Sequence, residues 1–124
     1  MYRTVISSLA LAVLFIGNPS SSKAGAIGGP KTINGYVDAT YDKTDSGFIE
    51  FQGGNEVRIV VHNLSNRGNI DLFVYDLDGR LIVSDRSADD DARVSFTPPR
   101  TNRYRVVISA KAGNSPLRYQ MKTN

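Results

Sequence analysis

Apolar and polar residues alternate with period two along most of the chain from Thr32 onward. The alternation is clearest over Glu56–Leu64, where Val57, Ile59 and Val61 share one side and Glu56, Arg58 and His62 the other. Only Val60 departs from it. Successive side chains of a strand point to opposite faces, so this segment reads as a strand with one buried face. The stretch Asn69–Asp85, NIDLFVYDLDGRLIVSD, sets two apolar runs, Ile70–Tyr75 and Leu81–Val83, around Asp76-Leu77-Asp78-Gly79-Arg80. Asp-Gly between such runs marks a β-hairpin, because Gly accepts the positive φ of the turn.

Other segments repeat the pattern. Thr32–Tyr41 alternates Val37, Ala39 and Tyr41 after an Asn34-Gly35 turn. Gly47–Phe51 predicts a short strand with Phe48 and either Ile49 or Phe51 inside. Three further strands place Ala92, Val94 and Phe96, then Tyr104, Val106 and Ile108, then Leu117, Tyr119 and Met121 on their inner faces. Gln52-Gly53-Gly54-Asn55, Arg86–Asp91, Pro98-Pro99 and Ala110–Pro116 separate them as turns and loops. About eight short antiparallel strands, with turn signals every 8–12 residues, predict an all-β fold, a β-sandwich in preference to a small barrel.

The first 26 residues follow a different rule. Arg3 supplies a positive charge, Val5–Ile16 is a short apolar run, Gly17-Asn18-Pro19 ends it, and small residues follow to Ala24-Gly25-Ala26. That order reads as a secretory signal peptide over residues 1–26, cut after Ala24 or after Ala26. The apolar run is too short to span a hydrocarbon core of about 30 Å, which takes about 20 residues. Gly28-Gly29-Pro30 makes residues 27–31 a flexible leader, followed by a single β-sandwich domain over residues 32–124. The expected location is secreted or periplasmic, with no membrane span after cleavage.

Composition narrows the chemistry. Removing Arg3 and Lys23 lowers the basic count from 15 to 13 against 12 acidic residues, so the formal charge falls to +1. Nucleic acid is therefore not an expected partner. The chain has no cysteine, which excludes disulfides, thiol catalysis and Cys-based zinc sites. His62 is the one histidine, and no nucleophile–base constellation surrounds it in sequence, so the chain does not read as an enzyme.

The residues from Asn69 to Tyr104 carry a resemblance. Asp71-Leu72-Phe73-Val74-Tyr75-Asp76, Asp78-Gly79, Ser84-Asp85, Val94-Ser95-Phe96-Thr97-Pro98 and Tyr104-Arg105-Val106-Val107 follow one another as in the bacterial pre-peptidase C-terminal domain. The Gly53-Gly54 turn before the Glu56 strand fits its upstream part, so the likeness spans roughly Gly47 to Lys122. Where that family carries Gly before its Y-R-V strand, this chain has Asn102-Arg103. The resemblance implies a jelly-roll-like β-sandwich, non-catalytic and usually appended to secreted peptidases. Some such domains bind collagen or other polymers, and some bind calcium.

Two sets of side chains are candidates for contact with a ligand. Phe73 and Tyr75 alternate with Leu72 and Val74, so one pair lies outside the core, where Phe73 and Tyr75 would offer a stacking platform for sugar or peptide. Arg103 and Arg105 alternate along a later strand, either as a solvated sheet face or as a patch for an anionic polymer. The acidic residues Asp76, Asp78 and Asp85 are the candidates for calcium, the one cofactor considered. The competing account is turn chemistry, in which Asp side chains accept neighbouring backbone N–H groups. The expected function is a non-catalytic binding or accessory module contacting a protein or extracellular polymer through its sheet face or loops. The alternative is a structural envelope or matrix protein that assembles through sheet edges.

Overall fold

Strands with one apolar face need a second apolar face to cover them, and here two sheets supply it to each other. The computed structural model describes residues 24–38, 44–111 and 116–124. Its strands among the described residues are β1 (Thr32–Val37), β2 (Thr44–Phe51), β3 (Val57–Asn63), β4 (Asn69–Tyr75), β5 (Leu81–Asp85), β6 (Ala92–Phe96), β7 (Asn102–Lys111) and β8 (Leu117–Thr123). They form two four-stranded antiparallel sheets, ordered β1-β8-β3-β6 and β2-β7-β4-β5. The first strand lies beside the last and the second beside the seventh, which is the strand order of a jelly roll. The all-β sandwich expected from the patterning is the observed fold.

The inner faces are those the alternation marks. Val57, Ile59 and Val61 of β3 are fully buried, as are Leu72 and Val74 of β4, and Leu117, Tyr119 and Met121 of β8 face the same core. At one end of the sandwich, Phe51, Phe96 and Tyr104 pack ring on ring, with centroids 5.2–6.1 Å apart. Burial, together with the negative charge of Asp76, pushes the Tyr104 hydroxyl above the usual tyrosine pKa, against an opposing effect from Arg100. Its ring belongs to the packing.

The hairpin between β4 and β5 turns where Asp-Gly predicts. Gly79 has φ 83°, its amide donates to the Asp76 carbonyl at 3.1 Å, and the Asp76 amide donates to the Arg80 carbonyl at 2.9 Å. The Asp76 carboxylate closes the turn from within, because its Oδ1 accepts the amides of both Asp78 and Arg80 at 2.9 Å.

Three expectations need correction. Asn34-Gly35 is not a turn, since both residues lie within β1, opposite Gln120 and Tyr119 of β8. Pairing with β8 overrides their local turn preference, while Ala39 and Tyr41 lie outside the described residues. Phe48 does not face the core but is 55% exposed, whereas Ile49 and Phe51 of the same strand are buried. Residues 27–31 are not a free leader either. The Ile27 amide donates to Glu50 O at 2.9 Å, Lys31 exchanges hydrogen bonds with Thr123, and Ala26 just before them is a core residue. The expected signal sequence falls almost wholly on residues 1–23, outside the described residues.

Candidate functional site: an arginine–aromatic sheet face

The outer face of the β2-β7-β4-β5 sheet gathers all four side chains that the sequence nominates for binding. Antiparallel register sets Phe48 of β2 opposite Arg105 of β7, Arg105 opposite Tyr75 of β4, and Tyr75 opposite Leu81 of β5. One row of side chains thus crosses the whole sheet. Within it the Arg105 guanidinium lies over the Tyr75 ring, 5.7 Å from its centroid. Arg103, two residues along β7, leans over the Phe48 ring at 5.3 Å. Phe73 stacks beside Tyr75, with centroids 6.4 Å apart and planes 21° from parallel.

These contacts organise the face before any ligand arrives. A guanidinium over an exposed ring gains about 0.5–1 kcal/mol. Each contact biases its arginine toward the ring rather than fixing it there. Glu50 is the strand neighbour of Arg103, yet no ion pair joins them, and neither guanidinium meets a carboxylate among the described residues. Their N–H donors remain available for carboxylate, sulfate or carbonyl groups, with aromatic surface alongside for a sugar ring or an apolar side chain.

Phe48 is the member that the sequence reading put on the wrong side. A signal for it existed. Glu50 shares its parity along β2, and a carboxylate without a partner does not enter a core, so Phe48 and Glu50 belong outside together.

The acidic residues behave differently. Asp76 and Asp78 lie at the β4–β5 turn, whereas Asp85 ends β5, so the length of a strand, about 15 Å, separates the calcium candidates. Asp85 instead accepts the Ser87 amide on Oδ1 at 2.9 Å and the Arg93 amide on Oδ2 at 2.8 Å. Asp91 accepts the Asn63 amide on Oδ1 at 2.9 Å, and its Oδ2 lies 3.1 Å from His62 Nδ1. Partial burial by itself would raise the Asp85 pKa, but the Arg93 and Ser87 donors and the Arg93 charge bring it below the usual carboxylate value. The Asp91 pKa is lowered too, by the Asn63 amide first and then by His62 and Arg93, against the raising effect of burial. No cluster of three or more His, Asp or Glu side chains suited to a metal forms among the described residues.

No protein-family profile matches the sequence, and no curated protein matches it. The fold does have counterparts among solved structures. The pre-peptidase C-terminal domain of a collagenase from Bacillus anthracis superposes with a TM-score of 0.62 at 12% identity, covering 76% of this chain and 88% of that one. PliG from Aeromonas hydrophila, a periplasmic inhibitor of g-type lysozyme, superposes with a TM-score of 0.58 at 12% identity, covering 83% and 88%. The resemblance read from Asn69–Tyr104 therefore extends to the fold. Among the described residues no helix is long and apolar enough to cross a membrane.

Proposed function

We propose that this chain is an exported, non-catalytic binding module that docks a protein or an extracellular polymer on the outer face of its β2-β7-β4-β5 sheet. One observation carries the reading: Phe48, Arg103, Arg105, Tyr75 and Phe73 form a continuous array with cationic donors unmatched by carboxylates among the described residues. The similarity to an accessory domain and to a protein inhibitor supports a role in contact rather than catalysis. Asp76, Asp85 and Asp91 of the acidic loops accept backbone amides, in keeping with a role in turn structure.

The test is a binding screen against insoluble collagen, acidic and neutral polysaccharides and g-type lysozyme, comparing the wild type with Tyr75→Ala/Arg105→Ala. A ligand retained by the wild type and lost by a folded double variant supports the reading. Undiminished binding by that variant would sink it.

A second reading, assembly through sheet edges, is favoured by β2. It is an eight-residue edge strand without proline; residues 25–27 bond its end at Glu50 and Phe51, and among the described residues no strand pairs the rest of its outer edge, where another chain could add. Sedimentation that shows oligomers dispersed by Ser46→Pro would favour this reading.

A further inference from the structure

We infer that the export signal is cut between Ala24 and Gly25, and that Gly25–Lys31 is a strap belonging to the mature fold. The inference rests on the exported reading above. Two positions satisfy a peptidase that needs small residues before its cut: Ser22-Lys23-Ala24 and Ala24-Gly25-Ala26. The fold separates them, because smallness at residues 25 and 26 has a cause of its own.

A Cβ at position 25 would stand 2.7 Å from Asn124 Oδ1 and 3.0 Å from the Val57 Cα, so only glycine fits between β3 and the end of β8. The Ala26 methyl is 3% exposed and belongs to the core cluster, and its backbone bridges to Phe51. The main chain is fastened on both sides. The amides of Gly25 and Ala26 both donate to Asn124 O at 3.1 Å, and Gly25 O accepts the Gln52 amide at 2.7 Å. Ile27 N donates to Glu50 O at 2.9 Å, and the Lys31 amide donates to Thr123 Oγ1 at 3.1 Å. The strap therefore ties the end of β8 in one sheet to the end of β2 in the other.

The two cuts have unequal consequences. Hydrolysis after Ala26 would take a buried methyl out of the core and strip the Gln52 amide of its acceptor. Hydrolysis after Ala24 adds water across one peptide bond, leaving a carboxylate on Ala24 and an ammonium on Gly25. Its structural loss is the 3.3 Å bond from Asn55 Nδ2 to Ala24 O. The Gly25 nitrogen, at 3.1 Å from Asn124 O, then becomes a charge-assisted donor.

The experiment expresses the full chain in an exporting bacterial host and reads the N-terminus of the exported product by intact mass and Edman sequencing. A start at Gly25 is expected. A start at Ile27, or at any other residue of an exported product, overturns the inference while leaving export standing. Protein retained in the cell with Met1 in place overturns both. Urea denaturation of two purified chains, beginning at Gly25 and at Ile27, gives an independent reading. The Ile27 chain should unfold at a midpoint lower by roughly 1 M, or fail to fold, whereas equal midpoints would overturn the structural role of the strap.

Discussion

Asp85, at the end of β5, accepts the main-chain amide of Arg93 on β6 at 2.8 Å, joining the edge strands of the two sheets. An edge strand leaves N–H groups that another chain could pair with, and a carboxylate placed on one of them blunts that edge. Asp91, just before β6, likewise accepts the Asn63 amide at the end of β3, an interior strand of its sheet.

Both carboxylates have pKa values below the ordinary range, which sets the sign of an acid response. Their contribution is present above the unfolded aspartate value of about 3.9 and is lost as pH falls through the lower folded value. Urea midpoints of the wild type should therefore drop as pH falls below the unfolded aspartate value of about 3.9. Asp85→Asn keeps one acceptor oxygen and loses the charge. It should destabilise the domain by about 1 kcal/mol at neutral pH and flatten that acid limb. An unchanged acid limb in Asp85→Asn/Asp91→Asn would show that other groups control it.

Ile59 and Arg58 are sequence neighbours on opposite faces of β3. Ile59→Ala should cost about 2–5 kcal/mol, since its side chain is fully buried. Arg58→Ala removes an exposed ion pair with Glu56 and should cost less than about 1 kcal/mol. Chemical denaturation of the two variants checks the difference.

The same contrast tests the orientation of β2. Phe51→Ala should destabilise the domain by about 3–5 kcal/mol, and Phe48→Ala, which forfeits the Arg103 contact, by no more than about 1 kcal/mol. A large loss at Phe48 would place its ring in the core after all.

Calcium should raise the melting temperature no more than magnesium at equal ionic strength. An ion bound at 100 times its dissociation constant would add about 2.7 kcal/mol, a shift easily seen in a thermal melt. A calcium-specific rise that vanishes in Asp76→Asn/Asp78→Asn would overturn the capping role.

Much of the fold was legible because its signals are local. Period-two alternation marks β3 and β8, and Asp-Gly marks the β4–β5 turn, each within a few residues. What escaped depends on partners distant in sequence. Asn34-Gly35 has the composition of a turn, and only β8 makes it a strand. Ala26 carries no periodic signal, since one small residue among glycines says nothing of a core forming around it. The candidate site divides in the same way. Phe73, Tyr75, Arg103 and Arg105 were recognisable singly as side chains off the core, but their assembly into one face follows from the β4–β7 register, which no short window contains.

Lys31 and Thr123, which exchange hydrogen bonds, are 92 residues apart in sequence. Among the described residues β1 pairs in its sheet with β8 and β2 in its sheet with β7, so much of the pairing must wait for the later strands. Closing such long loops comes before most of the stabilising contacts form, which makes for slow folding. A half-synthesised chain would hold no closed sandwich. Its apolar faces would stay uncovered until the last strand arrived, and it would need protection from aggregation during that interval.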